Sequence, residues 1–182
     1  MMERQRVFEN PVIGDKVTYL KISEETNGIY GKANVELVPD GGNFLHYHKE
    51  FAETFTAVKG NLTLQLNKAE RILKPGESFT VPPNTLHLFK NKTREKIMFS
   101  VEIRPGHTGF ENGIKIVYGL ARDGMVSKRG APKKLAHLAV IVAMSDINRP
   151  GVFALLEPMF KWLAKRAGKK GIEQELINRY CN

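Results

Sequence analysis

Between Val17 and Arg104, turn residues interrupt the chain so often that no helix fits between them. PDGGN lies at 39–43, VKGN at 58–61, LNKAER at 66–71, KPGE at 74–77, PPN at 82–84 and NKTRE at 91–95. Glycine, proline and asparagine supply the backbone angles that sharp turns need. The intervening stretches alternate apolar and polar residues, which in a strand places every second side chain on one face. KANVELV puts Ala33, Val35 and Leu37 on one side, and LTLQL does the same with Leu62, Leu64 and Leu66. In IMFSVEI, Ile97, Phe99, Val101 and Ile103 share a face, with Met98, Ser100 and Glu102 opposite. Many short strands with close turns predict a β-sandwich or barrel, and they exclude a doubly wound sheet, which needs helices between its strands.

After Pro105 the pattern changes. The pattern predicts a helix over about 109–120, another over the apolar stretch PKKLAHLAVIVAMSDIN (132–148) from its length and alanine content, and a third in 149–171. In that third stretch Phe153, Leu156, Phe160, Leu163 and Ala164 follow a period near 3.6, and Pro158 is expected to kink it. A short last helix is expected over 172–180. The charge divides at the same place. Residues 1–121 carry 16 basic and 14 acidic residues, whereas 122–182 carry 12 and 5, so most of the net +9 lies in the helical part. A basic helical face is read as solvated, with Lys165, Arg166, Lys169 and Lys170 gathered where cations complement a helix C-terminus. No nucleic-acid partner is expected from it. The apolar run 135–143 calls for burial on the barrel or on a second subunit.

The single cysteine, Cys181, rules out a disulfide within the chain. MMERQRVFENP carries charges and no apolar core, so it does not read as a secretory signal, and no apolar run is long enough to span a bilayer. Together these point to a cytoplasmic protein.

Chemistry concentrates in NFLHYHKEFAE, residues 43–53. His46 and His48 would share one face of a strand, with Tyr47 turned away, and Glu53 follows within reach. Such a pair is either half of a metal site or the polar edge of an ordinary sheet. PGESFTVPPNTLHLFKN (75–91) adds His87 after a tight corner at Pro82-Pro83-Asn84, where Asn84 can adopt the left-handed conformation. His107, in a loop after Pro105-Gly106, and His137, in an apolar helical run, do not read as ligands. Glu50 is closer to the histidines than Glu53 but reads as a solvated residue.

With both stretches in view, the chain resembles a single-domain cupin. One cupin motif is a glycine, then HxH, a glutamate and a glycine, and Gly41, His46, His48, Glu53 and Gly60 match it, with four residues rather than five between Gly41 and His46. The other motif is matched by Gly76, Pro82, His87 and Asn91, with Asn84 standing where the family has glycine. The motifs span 41–91, and the strand pattern carries the resemblance to roughly 28–105.

The resemblance implies a mainly β protein, a small antiparallel jelly-roll β-barrel followed here by a C-terminal α-helical extension. Residues 1–27 would form an N-terminal arm or strand, 28–105 the barrel, and 106–182 the basic extension. It implies one divalent transition metal (Fe, Mn, Ni, Co, Cu or Zn) on His46, His48, Glu53 and His87, with Glu53 doubling as a catalytic base. A small organic ligand or substrate and homodimerisation are further implications, and the charge of such an ion beside Glu53 would favour an anionic molecule. Oxygenase-type chemistry is the favoured activity, ahead of isomerisation or decarboxylation, and a non-catalytic binding or sensor protein is the alternative. Phe55 and Phe89 are expected at the barrel core or pocket wall. Ser100 and Glu102 would join them if their face of the last strand looked inward.

Overall fold

The computed structural model describes residues 5–181, the side chain of Phe153 aside, so the first four residues of the expected N-terminal arm lie outside the described part. The strands are β1 (Val7–Asn10), β2 (Asp15–Lys21), β3 (Gly31–Leu37), β4 (Ala52–Lys59), β5 (Leu62–Leu66), β6 (Ala69–Leu73), β7 (Ser78–Val81), β8 (His87–Lys90) and β9 (Ile97–Arg104). The helices that follow are α1 (Thr108–Arg122), α2 (Leu135–Met144), α3 (Val152–Leu155), α4 (Glu157–Lys169) and α5 (Ile172–Tyr180). No helix among the described residues is long and apolar enough to cross a membrane.

The strands form two antiparallel sheets, one ordered β1-β2-β3-β9-β4-β7 and the other β6-β5-β8. Bridges from Gly42 to Lys90 and from His46 to His87 lay segment 42–48 alongside β8 and extend the smaller sheet. This is a jelly-roll barrel. The two inner faces enclose one core, in which Val35, Leu37, Phe55, Leu62, Leu64, Ile97 and Phe99 are buried. The alternating residues of KANVELV, LTLQL and IMFSVEI supply this core. β9 is central, pairing with both β3 and β4, and its Phe99 is fully buried. The turn that starts β5 needs Gly60, since φ there is +75° and a Cβ would sit 2.6 Å from Ile97 Cγ2.

α1 is a wall shared by two cores. Tyr118 packs into the barrel core with Ile114 against it, whereas Ile116, Leu120 and Ala121 join a second cluster with Val140, Ile141, Ala167, Leu176 and Tyr180 from the later helices. Between α1 and the barrel runs a buried polar seam. Glu111 accepts bonds from Ser23 N (2.8 Å) and Ser23 Oγ (2.7 Å), and the Tyr118 hydroxyl donates to Asp15 Oδ2.

Two helical expectations are corrected. The stretch 132–148 is helical only over Leu135–Met144, because Asp146 takes a left-handed φ of +47° that a helix cannot continue through. Pro158 does not kink a long helix. It sits in the first turn of α4, where its missing N–H costs nothing, and the short α3 precedes it as a separate turn.

Candidate metal centre

Each of the four candidate ligands is placed by a local device. His46 and His48 sit on segment 42–48, and the ladder to β8 runs both ways at His46, with His46 N to His87 O at 3.0 Å and His87 N to His46 O at 2.8 Å. The corner before β8 is closed by Asn84, whose φ is +62° and whose N–H donates to His48 O at 2.6 Å. Glu53 lies near the start of β4, opposite Val81 and Ile103. As a result His46, His48, Glu53 and His87 are all buried, and one potential ligand atom from each lies within 4.8 Å of the others.

The orientation of the imidazoles is fixed at their far side. His46 Nδ1 meets Phe44 O at 2.8 Å, His87 Nδ1 meets Thr85 O at 2.8 Å, and His48 Nδ1 meets Asp146 O at 2.9 Å. A carbonyl can only accept, so each ring donates from Nδ1 and turns Nε2 towards the group. His87 Nε2 lies 2.6 Å from Glu53 Oε2. His48 Nε2 lies 3.4 Å from the same oxygen but makes no hydrogen bond of normal geometry, so a buried acceptor atom is left over.

The electrostatics follow from burial and contact. Burial pushes His46 down to about 4, against the opposing pull of Glu53, so its imidazole is neutral at pH 7. Burial acts to raise Glu53, but the imidazoles of His48 and His87 outweigh it and keep the carboxyl well below the usual carboxylate range. Burial likewise acts to lower His87, and its hydrogen bond to Glu53 reverses that and raises it. The result is a neutral imidazole beside a carboxylate held ionised.

These features fit a divalent transition ion. With bonds of ~2.1 Å, adjacent ligands on such an ion lie ~3 Å apart and opposite ones ~4.2 Å. The separations here are of that size, and the unpartnered Nε2 of His48 is the atom an ion would engage. Three imidazoles and one carboxylate suit the first-row series from Mn to Zn without selecting a member.

A cavity of about 90 Å³ inside the barrel borders Glu53 and Phe89, with Val101 and Ile103 from β9 and Phe110, Ile114 and Tyr118 from α1 closing it. Phe55 is buried behind it, its ring 6.2 Å from His87 and 6.1 Å from Phe89. Ser100 and Glu102 are not brought to the group. Val101 and Ile103 take the inner face of β9, and Glu102 instead pairs with Arg104 (2.8 Å) and Lys32 (3.4 Å). His107 caps α1 by accepting from Phe110 N at 2.9 Å and also meets Glu50 at 3.1 Å, so Glu50 has a partner at the surface.

Three contributors were not legible in the sequence. Phe51 stacks on His48 with ring centres 4.3 Å apart, and Phe110 of α1 meets the same ring edge-on at 5.3 Å. Phe51 lies inside the histidine stretch, so its position was the available signal. Phe110 and Asp146 lie beyond the barrel, and nothing in their local sequence connects them with His48.

A double-sheet jelly roll with three imidazoles and a carboxylate turned into it defines a class of small barrel proteins. Residues 33–103 match the Cupin_2 family model, a cupin domain. Residues 33–103 are therefore a cupin domain, with a buried group able to hold a metal. No curated protein sequence matches the chain. Among solved structures, KdgF from Halomonas sp. is similar with a TM-score of 0.49 and 16% identity, over 56% of this chain and 89% of its own. A sugar phosphate isomerase from a cupin superfamily of Silicibacter pomeroyi gives 0.46 and 25%, over 56% and 70%. The polyketide cyclase RemF from Streptomyces resistomycificus gives 0.46 and 19%, over 57% and 80%.

Proposed function

We propose that this cupin is a metal-dependent enzyme acting on a small organic molecule, with oxygenase-type chemistry. The observation that carries this reading is the set of three Nδ1–H donations to backbone carbonyls, which aim three Nε2 atoms at the same point as the Glu53 carboxylate in a buried, aromatic-walled group. Orienting ligands through their outer atoms is what a tight metal site requires. A bound divalent transition ion would supply Lewis acidity, and a redox-active one would also supply electron transfer towards dioxygen.

The chain's own residues set the remaining conditions. Glu53 stays ionised and can accept a proton from a substrate in the adjoining cavity. Phe55, Phe89 and Phe110 exclude water from that side. The cavity of about 90 Å³ is well below the roughly 300 Å³ at which pockets for drug-sized ligands begin, so the substrate is a molecule of few heavy atoms. An ion of charge +2 beside one carboxylate leaves net positive charge, which favours an anionic substrate such as a carboxylate or enolate. The protein is proposed to work as a homodimer in the cytoplasm, with apolar Val152, Leu155 and Trp162, all exposed on one chain, covered by a second copy.

The small volume of the cavity supports a second reading, a non-catalytic binding or sensor module. Metal analysis of protein purified without chelator, beside His87→Ala, tests the common ground. One transition ion per chain, lost in the variant, is expected. No metal in either protein after addition of Fe, Mn, Ni and Zn would sink both metal readings. Oxygen uptake with small enediols and diketones separates enzyme from sensor.

A further inference from the structure

We propose that Asp146 is a positioning residue of the metal centre, and that residues 145–148 form a latch by which the helical extension completes it. This rests on the metal reading above and adds a coupling that the barrel alone does not contain.

Two of the three carbonyls that fix the imidazoles are local. Phe44 O serves His46 and Thr85 O serves His87, each from two positions upstream. The equivalent carbonyl for His48 belongs to His46, and it is engaged by His87 N. The acceptor for His48 therefore comes from 98 residues away, at the end of α2.

That distant carbonyl is held firmly. The Asp146 carboxylate takes the two backbone N–H groups just after His48, from Lys49 at 2.6 Å and Glu50 at 2.8 Å. Asn148 exchanges backbone bonds with Tyr47 in both directions, at 2.9 and 3.0 Å, and its Nδ2 donates to Asp146 Oδ1 at 2.8 Å. Tyr47, His48, Lys49 and Glu50 are thus each bonded to the latch. Behind it, Ser145 is fully buried, and a Cβ at Gly109 of α1 would fall 2.0 Å from Met144 O, so the end of α2 lies directly on α1. The left-handed backbone at Asp146 suits aspartate or asparagine better than most residues.

Without this acceptor the His48 ring loses what selects its tautomer and its orientation. Its Nε2 is then no longer presented to the group. By linkage, an ion that needs Nε2 in place favours the docked latch as much as the docked latch favours the ion. Metal occupancy and docking of 145–148 become one equilibrium.

The test uses Co²⁺ on the full chain, followed by its visible absorption band, in the native protein, Asp146→Ala and Asp146→Asn. Asparagine keeps the left-handed tolerance and an oxygen for the Lys49 and Glu50 N–H groups. We expect Asp146→Ala to bind Co²⁺ about 10- to 100-fold more weakly, with a shifted band, and Asp146→Asn to recover most of both. Hydrogen exchange on the native protein gives an arm that needs no variant. The amides of Tyr47, Lys49, Glu50 and Asn148 should exchange more slowly once Co²⁺ is added. Equal affinity and an identical band in Asp146→Ala would overturn the latch while leaving the metal reading intact, even if that variant melts earlier. Exchange at the four amides unmoved by bound Co²⁺ would also overturn it. A native protein that takes up no Co²⁺ would overturn both.

Discussion

The barrel and the helical extension bury their apolar residues by different means. In the barrel, alternation along β3, β5 and β9 fills a single enclosed core, and each inward residue meets another across the sheets. The extension has no such enclosure. Its cluster is built on the back of α1, and it leaves Val152 at 70%, Leu155 at 81% and Trp162 at 54% exposed. A closed barrel is complete in itself, whereas the extension depends on α1 and on whatever covers α3 and α4. Yet the extension supplies a carbonyl to His48 and Phe110 to its ring, so the less enclosed region reaches the more enclosed one at its chemical centre.

The largest effect should come from Phe99→Ala, which empties the fully buried centre of β9. Phe→Ala changes in cores cost about 3–5 kcal/mol. The chain has one tryptophan, Trp162 on α4, so its fluorescence follows the extension while the backbone amide resonances of β9 follow the strands. Because α1 is packed into both cores, the two signals should share one urea midpoint, and Phe99→Ala should lower both together. Separate midpoints, with only the strand signal shifted, would show that the regions are independent and break the comparison at its root.

A smaller effect lies at the seam. Burial raises the Asp15 carboxyl to about 6, against the hydrogen bond from Tyr118, and its Oδ1 has no partner. The folded state therefore holds this proton more tightly than the unfolded chain, whose value is near 3.8. The stability that proton contributes is present below the unfolded value and is lost as the pH rises through about 6. Asp15→Asn removes this step. Its advantage over the native protein should grow between pH 4 and 6 and level off above, reaching up to roughly 3 kcal/mol. Urea titrations at four pH values measure it, and a difference that stays flat from pH 4 to 7 would refute the assignment.

The barrel and four of its buried polar residues were legible because their signals are local. A strand announces its inner face by alternation, and His46, His48, Glu53 and His87 lie at short intervals within one motif pair. Ser100 and Glu102 had an undetermined face, since alternation names two faces without saying which is inside. Charge settles it in the structure, where Glu102 pairs with Lys32 and Arg104. Asp146 was illegible for a different reason. Its role depends on a contact 98 residues away, and its sequence neighbourhood, SDIN after an apolar helix, signals only a helix end. The break before α4 is intermediate, because a proline signals a boundary without telling a kink from a first turn.

The smallest effect on the folded chain, and the sharpest test of the open side, is Leu155→Glu. At 81% exposure Leu155 makes few contacts within one chain, so the substitution should change monomer stability by no more than about 0.5 kcal/mol. In a symmetric dimer the same patch meets its own copy, so one added carboxylate per chain places two like charges in one apolar interface. Sedimentation should then show a dimer for the native protein at micromolar concentration and a monomer for the variant, with the urea midpoint of the dilute protein unchanged. A native chain that stays monomeric throughout would leave the apolar face of α3 and α4 without a second copy. The extension would then have its function on the barrel side alone.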